Sequence, residues 1–413
     1  MRKKFGLDCV KITGFIALST GSLFAHAEGS VLEEIIVTAQ KRSENIQEVP
    51  ISITALGADF IKDAGLTGFQ ELQFFVPNMV SESAGDARAG VMRIRGVGTA
   101  QTNPGMDSSV GVFVDGVYMG RQGMGMNDLM AIERIEVLRG PQGTLYGKNT
   151  PAGAINVITK NPTQEAEGEL RISAGNYGFL DTRAYFSGGM TDNLSGSVAL
   201  TRTERDGWTK HLQTGKDTDD LDRYSVRAKL HYSVDDLDVV LAADFYNDES
   251  SCCGNLFFDA GPLGEDTVPA GSPGSRATNT NFENENAEEN SGVALTVIKT
   301  MGDWELTSIT AYREWDVFSR NDADSTPLEF FKDFSIALQQ SQLSQEFRLA
   351  TEDEQGNGYL FGFFYFDQDM QDDEFVDLLW GPIVNDMALN TESYALFGTY
   401  NHQFSDKLKV SLG

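Results

Sequence analysis

The sequence has 413 residues, with 61 acidic against 32 basic side chains for a formal charge of −29, which excludes a nucleic-acid binder on electrostatic grounds. Hydrophobic residues make up 40% and aromatic residues 10%, too much apolar side chain for a disordered chain. No stretch reaches the roughly 20 apolar residues of a membrane-spanning helix, so acidity and apolar content must be reconciled in some other way.

Residues 1–27 read as a secretory signal peptide. Arg2, Lys3 and Lys4 precede an apolar run from Ile12 to Phe24, and Ala25-His26-Ala27 supplies the small residues of a cleavage site, so the mature chain is expected to start near Glu28. Cys9 leaves with the signal. The adjacent Cys252 and Cys253 remain, and an oxidising compartment allows a vicinal disulfide, pairing with other cysteines or two free loop thiols.

Two regimes follow. The first, 49–165, reads as a compact α+β unit. Val49 to Leu56 is a strand signal, Ala58 to Ala64 a short helix, and Thr67 with Gln70 a capping signature for a second helix through Leu72. Val91 to Arg95 is a strand with alternating arginines. Val110 to Val114 and Val117 to Met119 flank Asp115-Gly116, a two-residue hairpin signal. Ile132 to Leu138 and Ala154 to Thr159 are further strands, joined by the Gly-rich segment Arg139 to Gly153.

From 166 onward the period is two. Tyr224, Val226, Ala228, Leu230 and Tyr232 interleave with Ser225, Arg227, Lys229 and His231, one face apolar and the other polar. Similar runs near 168–176, 179–189, 194–204, 237–247, 292–300, 303–316, 339–350, 358–368, 391–404 and 407–413 bring the number to about eleven. Short connections alternate with long ones at Arg205–Asp222, Asp248–Ser291, Phe318–Ala337 and Asp369–Asn390. Long loops at one end and short turns at the other are the polarity of an outer-membrane barrel, whose strands need a span of about 9–11 residues and whose backbone groups are satisfied by pairing. Acidic clusters such as Asp372-Asp373-Glu374 are expected to solvate the long loops. Ten acids and one base lie between Asp244 and Ser291, and no Lys or Arg lies between Arg348 and Lys407, so the charge describes an outward surface.

The segment Ile132-Glu133-Arg134-Ile135-Glu136-Val137-Leu138-Arg139-Gly140-Pro141-Gln142-Gly143-Thr144-Leu145-Tyr146-Gly147, continuing into Ala152 to Lys160, resembles the plug domain of TonB-dependent outer-membrane receptors. Arg93-Ile94-Arg95-Gly96 and Val112 to Val117 support the resemblance, which runs from about Leu32 to the end. It implies an α+β plug followed by an all-β antiparallel transmembrane barrel. The family's barrel has about 22 strands, so about eleven make an open partial barrel, and the sequence is expected to be a C-terminally truncated fragment holding the N-terminal half of the wall in 166–413.

On the same resemblance, Glu33, Glu34, Ile35, Ile36, Val37, Thr38 and Ala39, within a 28–48 segment, look like the TonB box, the energy-coupling stretch; an extended β-branched run can add as a strand to a partner's sheet edge. Arg93, Arg95, Arg134 and Arg139 are implied contacts between plug and barrel wall. The phosphate-loop reading of the Gly-rich segment fails, because Gly143, Gly147 and Lys148 have the wrong spacing and Asn149 stands where Ser or Thr would hold magnesium. Gly140, Gly143, Gly147 and Gly153 are instead expected to serve tight plug turns. Phe257 and Phe258 are candidate ligand contacts in the longest loop.

No catalytic constellation is expected: His211, His231 and His402 are not at metal-ligand spacing, and no Gly-x-Ser-x-Gly elbow occurs, so neither a metal site nor a permanently bound cofactor is expected. The implied function is capture and import of a scarce ligand in the outer membrane of a Gram-negative bacterium, by default a ferric siderophore and hence an iron chelate. Haem, cobalamin and oligosaccharide are alternatives. The implied partners are TonB with its inner-membrane energising complex and outer-membrane lipid. A passive porin-like channel and a surface adhesin are competing classes.

Overall fold

The computed structural model describes residues 36–413 except 43, 48, 83–87, 89, 100, 102, 126–128, 130, 252–275, 354 and 406. The signal peptide, Glu33 to Ile35, Cys252, Cys253, Phe257 and Phe258 lie outside the described residues.

The chain opens with β1 (Ile36–Val37) antiparallel to β2 (Glu44–Asn45). β3 (Ser52–Gly57) runs into α1 (Ala58–Asp63), whose Ile61 is the buried position. The second predicted helix is a 3₁₀ turn over Phe69–Phe74. Its cap differs from the expected one: the Glu71 carboxylate, not Gln70, accepts from the Gly68 N–H at 3.2 Å. A carboxylate is the stronger acceptor for the orphan donors of a helix start. β4 (Met79–Glu82) pairs with β5 (Val91–Ile94), and β6 (Val110–Val114) with β7 (Val117–Met119). The hairpin between the latter two turns on Asp115 at φ 48 and Gly116 at φ 83, the two positive angles of a type I′ turn. Then come α2 (Gln122–Gly125), β8 (Ile132–Arg139), α3 (Gly143–Tyr146) and β9 (Gly153–Thr159). The five-stranded sheet has the order β3-β8-β9-β6-β7, parallel only where β6 meets β9. Gly140, Gly147 and Gly153 have positive φ, and at Gly153 a Cβ would lie 2.3 Å from the Leu138 carbonyl oxygen. Gly143 departs from expectation: it is the first residue of α3, with no neighbour near its would-be Cβ.

The period-two runs form β10 (Glu167–Ala174), β11 (Leu180–Thr191) and β12 (Leu194–Arg205), then β13 (Thr209–His211) and β14 (Asp217–Thr218) in a long loop, then β15 (Leu221–Val234) and β16 (Leu237–Ser250). β17 (Ala277–Thr278) joins β13 and β14 in a small loop sheet. β18 (Glu285–Met301), β19 (Trp304–Arg320), β20 (Phe331–Glu352), β21 (Gly358–Leu378), β22 (Gly381–Ser405) and β23 (Leu408–Leu412) complete the chain. β10 to β12, β15, β16 and β18 to β23 make one antiparallel sheet of 11 strands, an open partial barrel in which β10 and β23 are the edges and do not pair with each other.

Alternation sorts the two faces. On β15, Tyr224, Val226 and Leu230 are exposed outward while Lys229 is buried inward. Exposed apolar side chains recur on the outer face at Leu170, Phe186, Leu241, Val293, Phe361 and Leu396. Water would penalise such a band, whereas lipid is its natural solvent. The inner face joins the plug: Ile309, Trp315, Val317 and Leu338 of the wall belong to the same buried cluster as Leu72, Ile94, Ile135 and Ile155.

Two loop expectations are corrected. Half of Phe318–Ala337 and nearly all of Asp369–Asn390 is strand, with only Leu379 and Trp380 turning between β21 and β22. The acids 372–374 therefore stand on β21, and Asp372 is buried. Antiparallel pairing satisfies the backbone whether the flanking side chains face lipid or water, so these strands run on past the bilayer span.

Candidate functional site

Two features of the plug are candidates for function: Ile36 to Ala39, the described part of the segment read above as resembling a TonB box, and the seam along which plug meets wall. The segment is extended at Ile36–Val37, then turns, with the Lys41 N–H donating to the Thr38 carbonyl at 2.9 Å and Lys41 at φ 58. Val37 and Ala39 are buried against a cluster that includes Phe113, Leu138 and Tyr146.

Thr38 is held by the plug sheet. Its N–H and hydroxyl donate to Glu136 Oε1 at 2.8 and 3.1 Å. The same oxygen accepts from Arg134 Nε at 2.8 Å, and Asn156 Nδ2 donates to Thr38 Oγ1 at 3.2 Å. Glu136 is wholly buried, so these donors replace its lost hydration. Residues two apart on a strand share a face, which is why Arg134 and Glu136 of β8 meet.

Immediately beyond, Lys41 and Arg42 leave the plug for the wall. Lys41 Nζ lies 2.7 Å from both carboxylate oxygens of Glu346, with both side chains buried, and beneath it sit the rings of Tyr146 and Phe397. Arg348 Nε approaches the same carboxylate at 3.3 Å. Arg42 pairs with Glu352 at 3.2 Å, beside the short turn between β20 and β21. Burial outweighs Glu346 in setting the Lys41 pKa, which is held below its ordinary value.

A second anchor is Asp115 at the hairpin tip. Its carboxylate accepts from the Thr159 N–H at 2.8 Å and hydroxyl at 2.6 Å, and lies 2.9 Å from the buried Lys229 ammonium of β15. Lys229 also donates to the Thr159 carbonyl at 3.3 Å. A third runs through the wall: Arg313 bridges Asp244 at 2.6 Å and Asn290 at 3.0 Å, and Asn290 donates to the Met124 carbonyl of α2 at 2.7 Å.

Among the described residues, three of the four arginines named from the resemblance bond to other groups of the plug. Arg93 pairs with Glu82 at 2.5 Å across the β4–β5 hairpin, Arg134 with Glu133 and Glu136, and Arg139 reaches the Pro77 carbonyl at 3.5 Å. Arg95 lies beside the Gly140 turn. For Arg93 and Arg134 the physical reason is local: acids lie on the same or the adjacent plug strand. Among the described residues the ion pairs across the seam start from Lys41, Arg42, Lys62, Arg88 and Asp115. Sequence reading missed these. The available signals were the basic pair Lys41-Arg42 close behind Ala39 and an inward lysine, Lys229, on an alternating strand.

Residues 45–154 match the family model for the TonB-dependent Receptor Plug Domain. The chain is 32% identical over 241 residues to the pesticin receptor of Yersinia pestis, an alignment covering 55% of this chain and 35% of that one. It is 26% identical over 199 residues to the vitamin B12 transporter BtuB of Photobacterium profundum, covering 47% of this chain and 32% of that one. The fold is similar to that of the ferric yersiniabactin uptake receptor FyuA from Yersinia pestis, with TM-score 0.72 at 20% identity over 87% of this chain and 63% of that chain. The chain spans about a third of the length of the curated relatives it matches. With a plug-type sheet seated against an antiparallel barrel wall, and the plug model matched over residues 45–154, the chain carries a plug domain of the TonB-dependent receptor type and is similar to those outer-membrane receptors.

Proposed function

We propose that the whole protein is an active importer of the outer membrane, which binds a scarce ligand outside and admits it when a TonB partner draws on the coupling segment. Glu33 to Ala39 is the stretch that the partner takes. The observation that carries this reading is the way Ile36 to Ala39 is stored: a two-residue strand pair and a small set of side-chain bonds around Glu136, with Arg42 shortly beyond reaching Glu352 beside the turn between β20 and β21. Such a segment can be exchanged for pairing with another strand without opening the plug sheet. The energy enters through the partner and its inner-membrane complex.

A ferric siderophore is the ligand favoured here, because the structural relative with TM-score 0.72 is a ferric yersiniabactin receptor. Cobalamin is the second reading, carried by the likeness to a vitamin B12 transporter. The passive-channel reading is disfavoured by the apolar core that plug and wall share, which leaves that part of the lumen filled. The test is growth of cells with and without the intact gene on defined ferric siderophores and on cobalamin, with the proton gradient intact or collapsed. Gradient-dependent growth on an iron chelate supports the proposal; uptake that persists without the gradient overturns it.

A further inference from the structure

β7 is an edge of the plug sheet, and an edge strand leaves backbone donors and acceptors without a neighbour. Its register with β6 sets Val114 opposite Val117 across the two-residue turn and Phe113 opposite Tyr118. Opposed residues alternate between bonded and non-bonded pairs, so after a tight turn at Val114 and Val117 the Tyr118 carbonyl and the Gly120 N–H point away from β6. They point at the wall. There, the carboxamide of Gln342 on β20 donates to the Tyr118 carbonyl at 2.7 Å and accepts from the Gly120 N–H at 3.0 Å. One side chain thus offers the donor and acceptor that a neighbouring strand would offer, and an uncharged carboxamide carries both in one plane on a single carbon, as a peptide group does.

The surroundings are fitted to this contact. Gln340, on the same face two residues earlier, donates to Gln342 Oε1 at 3.2 Å, and Gln368 stands directly opposite Gln342 on β21. All three are at least nine-tenths buried. A Cβ on Gly120 would lie 2.7 Å from Gln342 Oε1, 2.8 Å from Gln368 Nε2 and 3.0 Å from Gln340 Nε2. The backbone therefore approaches the amides as closely as only glycine allows.

We propose that Gln342 is a positioning residue, through which the barrel wall stands in for a sixth strand of the plug sheet and fixes the resting register of β7. This goes beyond the import reading and holds whatever the ligand proves to be. The test is hydrogen exchange on the full chain in outer-membrane vesicles, without ligand or partner, for the wild type, Gln342→Ala, Gln342→Glu and Gly120→Ala. Gln342→Glu keeps the acceptor and loses the donor, so it separates the bond from side-chain bulk. The expected result is ~10-fold faster exchange over residues 118–121 in all three variants, with residues 132–139 in the sheet centre unchanged. Equal protection in the wild type and in the Gln342 variants overturns the proposal. So does a uniform loss across both segments, which would mark general destabilisation.

Discussion

Thr38 gives both its backbone N–H and its hydroxyl to the carboxylate of Glu136, 98 residues further along the chain. The bond ties the segment that a partner would take to the centre of the plug sheet, and Glu136 is wholly buried. Removing Glu136 therefore unlatches the segment while leaving Arg134 its second partner, Glu133. Glu136→Ala should free residues 36–39, with the lost latch worth ~1–3 kcal/mol. Spin-label mobility at Ile36 reports this; an immobile label in the variant would count against the latch.

Val37 is paired with Glu44 and buried, so proline at that position cannot supply a strand N–H to any partner. Val37→Pro is expected to abolish energised uptake while leaving the folded barrel content unchanged by circular dichroism.

The Lys41–Glu346 pair is asymmetric. Lys41→Met leaves Glu346 with Arg348 at 3.3 Å, whereas Glu346→Gln leaves a buried ammonium between two aromatic rings. Breaking a buried pair costs ~3–5 kcal/mol, and the larger loss should fall on Glu346→Gln. Burial already holds the Lys41 pKa below 10.5. A lysine whose folded pKa is lowered costs stability while protonated in the fold, and this cost is relieved as pH rises through the folded pKa toward 10.5. The Glu346→Gln defect should therefore shrink in alkaline buffer, as read by thermal unfolding at neutral and alkaline pH.

Lys229→Met and Asp115→Ala should also differ. The first leaves Asp115 bonded to both donors of Thr159, while the second also strips those bonds from the hairpin tip. Asp115→Ala is expected to be worse by ~1–2 kcal/mol and to let more of a large glycopeptide antibiotic into cells. Equal leakage from the two variants would show that Thr159 contributes nothing.

Asp322, in the loop between β19 and β20, is buried, and burial with the nearby Asp324 charge pushes its pKa up to about 6. Its carboxylate accepts from the Asn281 N–H at 2.7 Å and the Ser325 N–H at 2.9 Å, joining two loops. A carboxyl raised above its unfolded value of 3.8 favours folding in its protonated form, so loop stability falls as pH climbs from 3.8 through about 6. Exchange protection at Asn281 and Ser325, corrected for intrinsic rates, should be greater at pH 5 than at pH 7.5. Asp322→Asn should flatten that difference.

Much of this architecture was written locally. Period-two alternation, as in Tyr224 to Tyr232, decided which side chains face out and which face in, because successive strand residues point to opposite faces. Asp115-Gly116 decided a hairpin, because positive φ at both positions is cheap for that pair. The plug motif from Ile132 to Gly147 was enough to point to the family. What local pattern could not decide was partnership. Lys41 finds Glu346 305 residues away, and Gln342 meets Gly120 222 residues away, because each pairing depends on how plug and wall are seated against one another. The same limit explains the acids of β21: charge marked them as outward, but strand pairing with β20 and β22 carried them into the wall and buried Asp372. The opening charge of −29 thus followed from sequence alone, while the few charges that hold plug to wall were settled only when the chain closed long loops and desolvated them together.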